Sequence, residues 1–265
     1  MAENTPIIVL DWGHGGSDPG AVYKGRKEKD DNMRLGSAVG KKLSADYVVD
    51  VKYTRTTDIF EKPSKKAKDA NNFGADLFVS FHRNSYNQKA KGFEALVYKL
   101  SGLAYDLAKL ICKDMAEIGF SNRGVKKRTD LTVLKATAMP AVLLETGFID
   151  NAADNKIFDD KFDQIVAIIV KRIAEVMKLK KKAIPKPVKV ASIFKNGDYN
   201  NKVETTANLN VRSGRGTEFD ILGTLPKGTV AKVLYILKAK DGYFWGSIDY
   251  GKNVGFIRLD YVKPV

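Results

Sequence analysis

The stretch Ile7-Ile8-Val9-Leu10-Asp11-Trp12-Gly13-His14-Gly15-Gly16 decides how the larger part of this chain folds. Its first four residues are apolar without alternation, the pattern of a strand covered on both faces. The glycines that follow predict a tight turn with open space around His14. Outward from this strand, residues 29–43 place Met33, Leu35, Val39 and Leu43 at near-helical spacing, and Val51–Thr54 reads as a strand. Lys65–Phe73 reads as a helix, Leu77–Phe81 as a second buried strand and Phe93–Leu100 as another. Leu103–Ile118 is helical, with Leu103, Leu107, Leu110, Ile111 and Met115 on one face. Val142-Leu143-Leu144 is a third buried strand, and Phe162–Met177 a long helix striped by Ile165, Val166, Ile169, Ile173 and Val176. Strands alternating with amphipathic helices predict an α/β fold with a largely parallel twisted sheet and flanking helices.

The pattern changes near Leu179. Residues 178–189 carry Lys178, Lys180, Lys181, Lys182, Lys186 and Lys189 with Pro185 and Pro187, a self-repelling stretch that resists helix and sheet. It predicts a first domain over 1–178, a linker over 179–192 and a second domain over 193–265. In the second domain, short runs at Leu209–Val211, Ile221–Gly223, Val230–Leu234, Phe244–Ile248 and Val254–Ile257 predict a small all-β barrel. The 265 residues, 44% of them hydrophobic, suffice for two cores. No window approaches the ~20 apolar residues of a spanning helix, so membrane insertion is not expected. The single cysteine, Cys112, excludes an internal disulfide and reads as a small helix residue facing the core. A net charge of +14 predicts attraction to polyanions, with nucleic acid and phosphate-bearing wall polymers both admissible on charge alone.

Both histidines of the chain, His14 and His82, follow buried strands, where ligands of open α/β sheets collect. Two histidines at strand ends, one cleared by glycines, favour a metal over two unrelated structural roles. A catalytic zinc commonly takes three protein ligands, and two histidines with a glutamate form one such set. Glu28 at the start of a helix is a candidate third ligand, with Asp30, Asp31 and Glu94 as competitors. Glu145 ends the run Val142-Leu143-Leu144, and a carboxylate there is costly unless it is used or ion-paired.

Taken in order, Asp11–Gly16 with Asp18-Pro19-Gly20, Glu28, Ser80–Asn84, and Leu144-Glu145-Thr146-Gly147-Phe148-Ile149 with Asn151 resemble the zinc-dependent N-acetylmuramoyl-L-alanine amidases of bacteria and their phages. The resemblance runs from about residue 6 to residue 177. It implies that His14, Glu28 and His82 bind Zn2+ and that Glu145 is the catalytic acid/base. The family usually has proline where Trp12 stands, and alanines where Arg83 and Ser85 stand. Trp12 and Arg83 would flank the cleft, so these departures bear on substrate preference. Glu94 matches a position where the family often has glutamate, and the expected substrate-binding residues are Trp12, Arg83, Asn84 and, in a supporting role, Glu94. Residues 203–262 resemble a bacterial SH3-like domain through Leu209–Gly214, Ile221–Gly228, Trp245, Gly255–Ile257 and Tyr261-Val262. Such modules in wall hydrolases bind peptidoglycan, and Tyr243, Phe244, Trp245, Tyr250 and Tyr261 divide between barrel core and binding groove.

The resemblance implies hydrolysis of the amide between N-acetylmuramic acid and L-alanine of the stem peptide. The expected partners are peptidoglycan and anionic wall polymers, with no nucleic acid; no pattern assigns an oligomeric state. Residues 1–6 lack a basic region followed by an apolar stretch, so no signal peptide is read. The expectation is a phage or prophage endolysin, made in the bacterial cytoplasm and acting on the wall after release, with a host sporulation autolysin as the alternative. A zinc peptidase cutting within the stem peptide and a binding protein with a degenerate site are the rivals.

Overall fold

β1 (Ile7–Trp12) lies inside a six-stranded sheet because its side chains are needed on both faces. Ile8, Leu10 and Trp12 point into one buried cluster and Val9 into another. In this computed structural model, residues 5–182 and 194–265 are described. The chain divides into two compact units, residues 1–182 and 183–265.

After β1 come the hairpin β2 (Val22–Tyr23) and β3 (Arg26–Lys27), α1 (Glu28–Asp46), β4 (Asp50–Tyr53), α2 (Pro63–Asn72) and β5 (Leu77–Asn84). β6 (Phe93–Val97), α3 (Leu103–Glu117), β7 (Asn122–Lys127), α4 (Thr132–Lys135), β8 (Ala141–Phe148), α5 (Ala152–Asp160) and α6 (Phe162–Val176) follow. The sheet order is β4-β1-β5-β8-β6-β7. The first four strands are mutually parallel; β6 pairs antiparallel with β8 and parallel with β7. Leu35, Val39 and Leu43 of α1, Leu107, Ile111 and Met115 of α3, and Ile165, Ile169 and Ile173 of α6 cover one face. Ala70 of α2 with Val133 and Leu134 of α4 cover the other. Each fully buried aliphatic side chain contributes about 1.5–3 kcal/mol, so three helices on one face hold most of this core together.

Several elements escape the periodicity reading, α4 and the β2–β3 hairpin among them, and for two the physical reason is plain. β7 (Asn-Arg-Gly-Val-Lys-Lys) is a polar edge strand with no residue fully buried, charged as exposed edges are. α5 buries only Asp154 and Phe158, too few to show a stripe; it starts at Asn151, whose side chain accepts from the backbone N–H groups of Ala153 and Asp154. Of the expected linker, 183–192 lies outside the described residues. Lys180 O accepts from Val48 N and Lys182 N donates to Asp46 O, so its first residues lie along the end of α1.

The second unit consists of β9 (Gly197–Thr205), β10 (Leu209–Arg212), β11 (Ile221–Leu225), β12 (Val230–Lys238), β13 (Phe244–Tyr250), β14 (Asn253–Arg258) and β15 (Val262–Pro264). All pairings are antiparallel, in the order β11-β10-β14-β13-β12-β9-β15. Val203, Val211, Val233, Ile236, Ile248 and Ile257 form its core. The aromatic residues separate cleanly. Trp245 is fully buried and donates its indole N–H to Asp241, whereas Tyr243 is exposed with the Arg258 guanidinium 3.3 Å from its ring centroid. Phe244, Tyr250 and Tyr261 are partly buried against the core.

Candidate active site

The carboxyl ends of the parallel strands and the first residue of α1 bring three side chains together. His14 stands in the loop after β1, His82 near the end of β5, and Glu28 opens α1. One ligand-type atom from each lies within 4.8 Å of the others. Glu28 Oε2 is 3.1 Å from His14 Nε2, and Glu28 Oε1 is 2.9 Å from His82 Nδ1. Donors bound at ~2.0–2.2 Å around one centre stand about this far apart, and two imidazoles with one carboxylate suit a zinc ion. Asp30 and Asp31, the acidic neighbours on α1, are not in this group. Asp31 instead pairs with Arg26 and Arg83.

The backbone is shaped around these side chains. His14 adopts φ 61°, a left-handed conformation seldom taken by a side-chain-bearing residue and concentrated at functional sites. A Cβ at Gly13 would run into the His82 ring. One at Gly20 would fall 2.6 Å from both Glu28 Oε2 and the His14 ring. His14 Nδ1 is 2.8 Å from Asp18 Oδ2, which holds the ring and leaves Nε2 facing Glu28. Glu28 Oε2 accepts from Ala21 N and Oε1 from Arg83 N. Beneath the loop, Lys66 donates to Trp12 O and pairs with buried Asp11, and Arg55 donates to Trp12 O and Thr57 O. Sequence reasoning gave no role to Asp18, Arg55 or Lys66. For Asp18 a signal existed, since an acid four residues after His14 can orient its ring.

Electrostatics follow from this packing. Burial pushes Glu28 up, but hydrogen bonds and charge from His14 and His82 outweigh it and hold the carboxyl well below the usual range. Burial presses His14 down, while Glu28 and then Asp18 raise it further, to about 9. Glu145 behaves oppositely: burial pushes it up to about 7, with Glu28 and Glu94 adding to the rise against His82 and His14. Its Oε2 is buried with no hydrogen-bond partner among the described residues. Glu145 is in register with His82 on one neighbouring strand and with Glu94 on the other, so the three side chains share a face. Burial also pushes the Cys112 thiol up to about 12, in keeping with a packing role.

The other expected substrate residues divide. Asn84 donates to Glu94 Oε1, and Glu94 also binds Arg123 and Lys126, each at 2.6 Å. Trp12 and Arg83 do not flank an open cleft. Trp12 is 5% exposed, packed against Tyr53 and over Gly36 of α1, because it points into the helix-covered face. Arg83 is 2% exposed; it reaches back to Asp31 and Asn155 and stacks 4.2 Å from the Phe158 ring centroid, tying α1 to α5.

Comparison with known proteins gives the family of each unit. Residues 8–175 match the N-acetylmuramoyl-L-alanine amidase family and residues 207–263 the bacterial SH3 domain family. The chain is similar to the endolysin of Bacillus phage SPP1, 38% identical over 186 residues, covering 67% of this chain and 68% of that one. It is 37% identical over 164 residues to the sporulation-specific N-acetylmuramoyl-L-alanine amidase of Bacillus subtilis, covering 60% of this chain and 63% of the relative. Among solved structures, the catalytic domain of the amidase CwlV from Bacillus (Paenibacillus) polymyxa superposes with a TM-score of 0.62 at 30% identity, covering 66% of this chain and all of that domain. An N-acetylmuramoyl-L-alanine amidase from Clostridium difficile 630 gives 0.63 at 29%, covering 66% of this chain and 98% of that one. The chain thus belongs to the N-acetylmuramoyl-L-alanine amidase family, its catalytic domain followed by a bacterial SH3 domain.

Proposed function

We propose that this protein hydrolyses the amide between N-acetylmuramic acid and L-alanine in peptidoglycan, using Zn2+ held by His14, Glu28 and His82 and Glu145 as the acid/base. The observation that carries the proposal is the pairing of a convergent His-Glu-His group with a glutamate in register beside it whose buried Oε2 has no hydrogen-bond partner among the described residues. Zinc bound there would polarise the scissile carbonyl and acidify a water. Glu145, whose carboxyl pKa burial raises in the metal-free site, accepts the proton of the attacking water at Oε2 and hands it to the alanine nitrogen as that nitrogen departs. Asp18 fixes the His14 ring, and the N–H groups of Ala21 and Arg83 fix the Glu28 carboxylate.

The bacterial SH3 domain would hold the enzyme on the wall, and the charge of +14 would add attraction to anionic wall polymers. The relative named as a phage endolysin supports an endolysin role, and the relative named as sporulation-specific keeps a host autolysin as the second reading. Among the described residues no helix is long and apolar enough to cross a membrane. The test separates metal from catalysis. Purified Glu145→Gln should contain about one zinc per chain yet lose wall hydrolysis by at least ~100-fold, whereas His82→Ala should lose both. A Glu145→Gln protein that still lyses walls would remove Glu145 from the mechanism.

A further inference from the structure

Arg123 and Lys126 of β7 do more than neutralise Glu94. Both end on the same oxygen, Glu94 Oε2, at 2.6 Å, so two cations share one buried carboxylate and an excess positive charge remains. Glu94 is itself oriented by Asn84. Arg123 spends only its Nε on Glu94, and its guanidinium lies 4.9 Å from the Phe148 ring centroid. Its two Nη groups make no hydrogen bond among the described residues. The Lys126 ammonium has three N–H groups and one recorded partner. Their side chains are 34% and 44% exposed, so a held fork and an ammonium face solvent side by side. Such a pair suits a carboxylate.

The sheet order says which end of the substrate meets it. Glu145 on β8 stands between His82 on β5 and Glu94 on β6. An acid that protonates the departing nitrogen must lie on the leaving-group side of the bond. The stem peptide therefore runs from Glu145 toward β6 and β7, which carries Arg123 and Lys126. Two strand spacings, ~10 Å, separate the β8 and β7 backbones, and the side chains reach inward from both. In the stem peptide, the second residue is a D-glutamate joined through its side chain, so its α-carboxyl projects free or amidated. That group lies roughly one and a half residues, ~5–6 Å, from the scissile nitrogen, a distance that fits the gap.

We propose that Arg123 and Lys126 form a subsite for the free α-carboxylate of the second stem residue and make the enzyme selective for stems in which it is not amidated. This rests on the amidase reading above. The test uses two muramoyl tripeptides that differ only in a free or an amidated α-carboxyl at residue two, with release of L-alanine amino termini as the readout. Loss of a charge-assisted contact costs roughly ten- to a hundredfold in kcat/KM, so the wild type should prefer the free acid by at least about tenfold. Arg123→Gln and Lys126→Met should each collapse that preference, and Arg123→Lys should restore part of it. Cleavage of both substrates by the wild type within about twofold, or an equal fall on both in the variants, would overturn the subsite while leaving the amidase reading intact. If neither peptide yields L-alanine termini, the amidase reading itself fails and the subsite with it.

Discussion

The most quantitative consequence of the site concerns Glu145 in metal-stripped protein. Its folded-state pKa of about 7 stands about 2.5 above the ordinary 4.5, chiefly because burial disfavours the charged form. At 1.36 kcal/mol per unit, ionising it inside the fold costs about 3 kcal/mol. The sign is fixed by linkage: the folded state binds the proton more tightly, so stability falls as pH rises from about 4.5 to 7 and stays low above. Glu145→Gln cannot ionise and is spared this loss. In the presence of chelator, calorimetry of the full chain should show the catalytic-domain transition of the variant gaining about 3 kcal/mol over wild type between pH 4.5 and pH 8. Groups that titrate alike in both proteins cancel in the difference. Parallel stability curves for the two proteins across this range would refute the claim that Glu145 is held neutral by burial.

Other consequences follow from single contacts. Asp18→Ala removes the partner of His14 Nδ1 and should weaken zinc binding ~10–100-fold by chelator competition, while lowering the His14 pKa from about 9 in NMR titration of the metal-free protein. Gly20→Ala places a methyl between His14 and Glu28 at φ 65° and should release zinc far more readily than wild type, with a backbone strain of ~1 kcal/mol added to the loss of stability. Arg83→Met leaves Asp31 with Arg26 alone and unties α1 from α5; thermal unfolding should report about 3 kcal/mol of destabilisation.

Much of this was legible in the sequence because the core writes itself in periodicities. The runs at Ile7, Leu77 and Val142 are buried on both faces, and the stripes of α1, α3 and α6 are wide enough to read. β7 and α5 were not legible, since an edge strand hides few side chains and α5 buries two. At the site, the strand-end histidines were visible, but spacing could not choose Glu28 over Asp30 or Asp31. That choice is made by the turn of α1, which aims Glu28 at the histidines and Asp31 at Arg83. Arg83 turns away from the histidines because it follows His82 directly, and adjacent positions on a strand face opposite sides of the sheet. Trp12, two residues before His14 and still on β1, packs against Tyr53 and Gly36 instead.

The central claim is that one bond, the amide to L-alanine, is cut with the help of the His14–Glu28–His82 metal. Purified Gram-positive peptidoglycan should be digested with and without chelator while new amino termini and new reducing sugars are followed in parallel. N-terminal alanine should appear without new reducing ends, be abolished by chelator and be restored by zinc. Release of a different stem residue with alanine still blocked would make this a peptidase and contradict the amidase assignment.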